Sequence, residues 1–241
     1  MKKPNIKITS DLGEGLKNEA ELVPYLHSCS IACGYHAGDM DTMRHTVALA
    51  IEKGVEIGAH PSFPDRKNFG RKKMDLSLPD LIAAITDQVN TLNFICEEFQ
   101  VTLRHIKPHG ALYNLAIIDE ATAEAIIEAI NALQLDLILY TPYQGKLAKL
   151  AKENNIKILY EAFADRKYMD DLTLVDREHP GAVIYDPHKV WEHVKLMLEQ
   201  TLVKTLSGRK IPILPDIYCI HGDNPNALAI LQHLHEKLTL N

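Results

Sequence analysis

Four histidines, His36, His60, His109 and His221, each stand just after a segment that reads as a strand and within two residues of glycine or proline. Tight backbone at such points lets side chains converge, and imidazoles that titrate near neutrality can move protons or ligate a metal. Asp11 and Glu14 share the short loop expected after the first strand. Asp11 lies too early to cap the helix that follows near Glu21 and Leu22, which favours a chemical role. Lys107 ends a strand before Pro108, where a desolvated amine can bind an anion or stabilise an oxyanion. A salt bridge across the fold is the alternative. Asp165-Arg166 reads as a local ion pair or as a carboxylate clamp, because the guanidinium fork matches a carboxylate or a phosphate. Six further histidines, His27, His45, His188, His193, His233 and His235, fall in apparent helices or their flanks and are expected to pack.

These residues need a scaffold that gathers strand ends. Seven strands are expected, at 6–9, 30–33, 55–59, 104–106, 137–140, 158–160 and 217–220, and nearly all run out into ionisable or small residues. Between them lie helical stripes such as Met40, Met43, Val47, Ala50 and Ile51, or Leu78, Leu81, Ile82, Ile85, Val89, Leu92 and Cys96, spaced for core packing. Ser77 before Pro79 and Asp80, and the pairs Asp186-Pro187 and Asn224-Pro225, mark helix starts. Parallel strands joined by helices form a β/α barrel or an open sheet with chemistry at the carboxyl ends. An α/β fold with one seven-stranded β/α barrel domain over residues 1–241 fits best, with an open doubly wound sheet as the alternative. The segment 161–186 lacks strong periodicity and is expected to cover the site, as long loops in compact domains commonly do.

The chain has 241 residues, a formal net charge of -6 and interspersed acids and bases. No basic tract suits a nucleic-acid backbone. No apolar run approaches the roughly 20 residues of a membrane span, and residues 1–5 lack the pattern of a signal peptide. A cytoplasmic protein with no membrane or nucleic-acid partner is expected. Cys29, Cys33, Cys96 and Cys219 form no CxxC pair and are expected to be reduced and mostly buried.

Several stretches together resemble the LamB/YcsF family: Asp11-Leu12-Gly13-Glu14, Ile31-Ala32-Cys33-Gly34-Tyr35-His36-Ala37-Gly38-Asp39, Gly58-Ala59-His60-Pro61 and Phe69-Gly70-Arg71. They continue with Lys107-Pro108-His109-Gly110-Ala111-Leu112-Tyr113-Asn114, Phe163-Ala164-Asp165-Arg166 and Cys219-Ile220-His221-Gly222-Asp223. They recur in family order over nearly the whole chain. The resemblance implies a barrel akin to the glycoside hydrolase/deacetylase group. It also implies a part in ATP-dependent opening of 5-oxo-L-proline to L-glutamate, in a 5-oxoprolinase assembly completed by subunits B and C. On that reading Asp11, His60, Lys107 and His109 are the expected catalytic groups. Glu14, His36, Arg71, Asn114, Glu161, Asp165, Arg166 and His221 are expected around the substrate.

No GxxxxGK[ST] phosphate loop is present, so ATP is expected on another surface or on a partner subunit. Thr9, Ser10, Cys29, Ser30 and Met40 depart from the family pattern and are expected to line the same mouth. Two other readings stay open. One is a metal-dependent amidase or deacetylase, with Asp11, His36, His60 and His221 as candidate ligands of zinc or a similar divalent ion. The other is a non-catalytic subunit that delivers a small acid. Self-association is also open.

Overall fold

The computed structural model describes residues 6–240. Residues 1–5, which the sequence reading finds without the pattern of a signal peptide, and residue 241 lie outside the described residues. The chain forms a closed barrel of seven parallel strands. In chain order these are β1 (Ile8–Leu12), β2 (Ser28–Ala32), β3 (Glu56–His60), β4 (Leu103–Ile106), β5 (Ile138–Pro142), β6 (Ile158–Phe163) and β9 (Ile217–Cys219). Each pairs with the next, and β9 closes the circle through Ile8↔Tyr218 and Thr9↔Cys219 on one side and Phe163↔Cys219 on the other. All five residues of β1 and of β2 are buried, the pattern of strands covered on both faces.

Two of the three helix starts expected from caps hold, at Ser77 and Asp186. Helix α1 (Glu19–Leu22) follows β1. In α2 (Met40–Lys53) the Asp39 side chain accepts from Thr42 N, and Gly54 ends the helix in the left-handed region at φ 67°. Ser77 caps α3 (Leu78–Glu98), whose buried face runs through Leu81, Ile85, Val89, Leu92 and Cys96. Two helices, α4 (Gly110–Ile118) and α5 (Glu120–Leu133), join β4 to β5, and α6 (Lys146–Glu153) joins β5 to β6. Asp186 caps α7 (Pro187–Gln200). The third expected start is displaced: Asn224 Oδ1 does accept from Asn226 N, but α8 (Ala227–Leu240) begins at Ala227. All four cysteines are free and buried.

Two further features differ from the sequence reading. The strand ends carry the ionisable residues themselves: Asp11 sits within β1, paired with Ser30, and Glu161 within β6, paired with Ile217. A barrel interior tolerates such residues where they find partners of opposite charge. In addition, an antiparallel hairpin of β7 (Leu202–Lys204) and β8 (Lys210–Pro212) lies between α7 and β9, giving nine strands among the described residues. Three-residue strands leave too little alternation to announce themselves.

The barrel floor is tight at Gly58. A Cβ built there would clash with the ring of buried His105, which stacks on Tyr140 at 4.0 Å between ring centres and lies 3.2 Å from Ser30 Oγ. Gly58→Ala is therefore expected to cost about 1–3 kcal/mol or more through overpacking. Thermal melting of the variant checks this, with an unchanged midpoint as the contrary result.

Candidate active site

Strand ends on one side of the barrel open into a cavity of about 760 Å³. Of the expected site residues, Asp11, Glu14, His60, Arg71, Lys107, His109, Asn114, Arg166 and His221 line it. His36 and Asp165 are buried just behind, at 1% and 0% exposure, and Glu161 lies beneath at 2%.

Lys107 is the central group. Its Nζ lies 2.9 Å from Asp11 Oδ1, 2.8 Å from Glu161 Oε1 and 3.3 Å from Cys219 Sγ. Burial disfavours the ammonium charge, but Asp11, Cys219 and Glu161 outweigh it and hold Lys107 well above the ordinary lysine value. Asp11 shows the complement: burial raises its carboxyl, yet His60 and Lys107 beside it keep it well below the usual carboxylate range. The salt bridge across the fold, one of the two expected readings of Lys107, is thus present. A lysine held so firmly as the cation cannot serve as a base, but it supplies a fixed positive charge in a dry setting. Tyr113 donates to the other oxygen of Glu161 at 2.8 Å, and burial followed by Glu161 pushes its phenol well above normal.

Beside this triad three histidines pack into a block. His36 stacks on His109 with centroids 3.8 Å apart and planes 3° from parallel, and His60 stands edge-on to both at 85° and 84°. His60 Nε2 lies 3.4 Å from Asp11 Oδ2. Burial and neighbouring His60 push His36 down to about 2, while burial, His60 and His36 hold His109 well below the ordinary value. Glu14 closes the block, and burial together with Asp11 raises its carboxyl to about 7. The loop beneath is held in an uncommon conformation: Phe69 and Gly70 both take left-handed φ, 56° and 62°. Even an added Cβ at Gly70 would lie 3.0 Å from the His109 ring and from His36 Cβ, so glycine lets the histidines close over it.

The other expected residues divide between rim and scaffold. His221 Nδ1 lies 2.8 Å from Asp165 Oδ1, and Asn224 donates to Asp165 Oδ2 at 3.0 Å. This turns His221 away from the block. Of the four candidate metal ligands, His36 and His60 join Glu14 and His109 in a cluster of potential ligand atoms, whereas Asp11 bonds Lys107 and lies beside His60 outside that cluster. Asp165 and Arg166 form no ion pair among the described residues; the Arg166 guanidinium donates to the Val175 carbonyl at 2.6 Å from a buried position on the cavity wall.

Residues 173–178 line the cavity, as expected for the long segment. That segment carries Arg177, which sequence reasoning missed. Arg177 and Arg71 both reach Asp223 Oδ2, at 2.6 and 3.1 Å, and so tie three loops across the mouth. Its only signal was a basic residue within a segment already expected to cover the site.

The five departures from the family pattern do not line the mouth as expected. Alternation along a barrel strand sends Asp11 and Thr9 inward and Ser10 outward, where Ser10 Oγ donates to the Ile220 carbonyl at 2.7 Å. Cys29 belongs to the hydrophobic core, Ser30 lies beneath the floor against His105, and Met40 is exposed at the start of α2.

The LamB/YcsF family model matches residues 6–241. Proteins named as the A subunit of 5-oxoprolinase, from Pyrococcus abyssi and Halalkalibacterium halodurans, are 41% and 40% identical to this chain over 238 residues, 97% of it and 93% of each relative. Among solved structures, the lactam utilization protein from Thermus thermophilus superposes with a TM-score of 0.90 at 32% identity, over 98% of this chain and 96% of that one. A putative cellobiose-phosphate cleavage protein from Enterococcus faecalis V583 shares the fold alone, with a TM-score of 0.54 and 8% identity over 97% and 94% of the two chains. No helix among the described residues is long and apolar enough to cross a membrane.

Proposed function

The chain belongs to the LamB/YcsF family, and from that premise we propose that it is the A subunit of an ATP-dependent 5-oxoprolinase acting with subunits B and C. The observation that carries this reading is the Lys107 ammonium held between Asp11 and Glu161 beside the His60 and His109 rings. It joins a fixed positive charge to proton-handling groups in a cavity large enough for a small ring acid.

Amide resonance makes a five-membered lactam a poor electrophile. Phosphorylation of the ring oxygen by ATP, with loss of ADP, removes that protection. One water then adds to the ring carbon, the carbon–nitrogen bond breaks with a proton passing to nitrogen, and the resulting acyl phosphate reacts with a second water to give glutamate and phosphate. In this scheme Asp11, His60 and His109 orient the water and take its proton, and Lys107 stabilises negative charge at the former carbonyl. Arg71 and Arg177 at the rim, with Arg166 on the wall, are the groups suited to the substrate carboxylate. ATP is assigned to a partner subunit or to a surface shared with one, because the chain carries no phosphate loop.

Glutamate release from 5-oxoproline and ATP, measured with this chain alone, with subunits B and C alone, and with all three, tests the proposal. Activity is expected only in the full mixture. An active reference assembly that is silent when this chain replaces its A subunit overturns the reading. Robust turnover by the chain alone overturns the assignment of ATP and partners.

A further inference from the structure

The hydrogen bonds around the histidine block fix where its protons sit. His60 Nδ1 is 2.7 Å from the Lys107 carbonyl oxygen, and His109 Nε2 is 2.8 Å from the Phe69 carbonyl oxygen. A carbonyl oxygen only accepts, so each of these nitrogens carries the proton. The remaining nitrogens, His60 Nε2 and His109 Nδ1, face each other 2.9 Å apart. In neutral rings both are lone pairs, and two lone pairs at that distance repel unless a positive centre lies beside them.

The surroundings supply the rest of a coordination site. Glu14 Oε1 lies 3.7 Å from His109 Nδ1 and 3.4 Å from His36 Nε2. Its side chain is 8% exposed and that of His36 is fully buried. Glu14 Oε1 and both His36 ring nitrogens have no hydrogen-bond partner among the described residues. One ligand atom from each of Glu14, His36, His60 and His109 lies within 4.8 Å of all the others. With metal–nitrogen and metal–oxygen bonds of about 2.0–2.2 Å, neighbouring ligands of a tetrahedral ion stand about 3.3–3.6 Å apart. The 2.9 and 3.7 Å separations bracket that range. A ligating imidazole whose other N–H is fixed by a carbonyl is also the usual outer arrangement of a metal-bound histidine.

We propose that Glu14 Oε1, His60 Nε2 and His109 Nδ1 form a binding site for a divalent transition-metal ion of the zinc class. The two imidazoles suit such an ion, whereas magnesium and calcium favour all-oxygen ligand sets. His36 lies parallel to His109, so an ion in the plane of the His109 ring is off the plane of the His36 ring. His36 is therefore a positioning residue that holds His109 in place. The site adjoins Asp11 and Lys107, so a bound ion deepens the proposed reading by supplying a Lewis acid beside the reacting carbon; His60 and His109 then act by holding the ion, and the water's proton passes to Asp11. The binding claim itself rests on the ligand geometry.

The test uses the untagged full chain, stripped with chelator, reloaded with zinc or cobalt(II) and dialysed. Elemental analysis is expected to give close to one ion per chain, and cobalt the visible spectrum of a nitrogen-ligated site. Magnesium should not compete. Glu14→Gln and His109→Gln, both close in shape to the native residues, should weaken zinc binding by at least on the order of 10–100-fold, the range seen when even an outer-shell partner is lost. They should also abolish the rise in melting temperature that zinc gives the native chain. Asp165→Asn, outside the cluster, should bind as the native chain does. Less than a tenth of an ion per chain, or undiminished affinity in both cluster variants, overturns the proposal and leaves a shared proton between His60 and His109. Glutamate release by the complete assembly, assayed in parallel, keeps the two claims apart. Activity without metal binding defeats the metal site alone, and metal binding without 5-oxoproline turnover defeats the substrate reading alone.

Discussion

Lys107→Met is expected to be the most damaging single substitution in the chain. It leaves Asp11 and Glu161, 7% and 2% exposed, as two carboxylates facing each other without their shared cation. Removing one partner of a buried ion pair costs about 3–5 kcal/mol, equivalent here to a melting temperature lower by roughly 6–20 °C. Methionine fills the space of the lysine stem, so the loss reads charge rather than volume. The triple variant Lys107→Met, Asp11→Asn, Glu161→Gln should regain most of that stability, since no buried charge is then left alone. Glutamate release by the assembly should stay down by at least on the order of 10²–10³-fold in both variants, because the positive charge aimed at the developing oxyanion is gone in each. A single variant that melts with the native chain would show that the triad is solvated rather than desolvated.

The second large effect concerns Asp11. Asp11→Asn keeps the shape and leaves Lys107 its bond to Glu161 at 2.8 Å, so the fold should survive with a modest loss. What disappears is the negative charge 3.4 Å from His60 Nε2. If Asp11 and His60 together orient and deprotonate water, kcat of the assembly should fall on the order of 10²–10⁴-fold, with KM for 5-oxoproline little changed. A rise in KM at constant kcat would place Asp11 in substrate binding instead.

The sequence carried the barrel well for a physical reason. Strands buried on both faces read as short apolar runs, and helices between them as stripes, so the seven barrel strands and the starts of α3 and α7 could be placed from pattern. Boundaries failed where chemistry intrudes. Asp11 and Glu161 look like the beginnings of loops because an acid interrupts an apolar run, yet both lie inside strands, neutralised by a lysine that follows a third strand. Spacing shows that Lys107 follows a strand. It does not show that its partners come from β1 and β6. The histidine block was legible only as a set of residues following strands. That His221 leaves the set for Asp165, and that Glu14 joins it, depends on which way each ring turns in three dimensions. The hairpin of β7 and β8 was invisible because three residues per strand are too few to show a period.

The closure of the barrel also has a consequence in time. Lys107 bonds a residue 96 positions before it and another 112 after it, and the later one, Cys219, lies on the strand that seals β6 to β1. Until β9 arrives, both neighbouring strands keep an open edge able to pair with the wrong segment. Contacts this distant along the chain also make for slow folding. The ribosome therefore delivers Asp11, Lys107 and Glu161 well before the piece that walls them off from water. The completed charge centre is thus a certificate of finished folding: a chain stalled or cut before residue 217 lacks the strand that closes the floor, however well its earlier helices have formed.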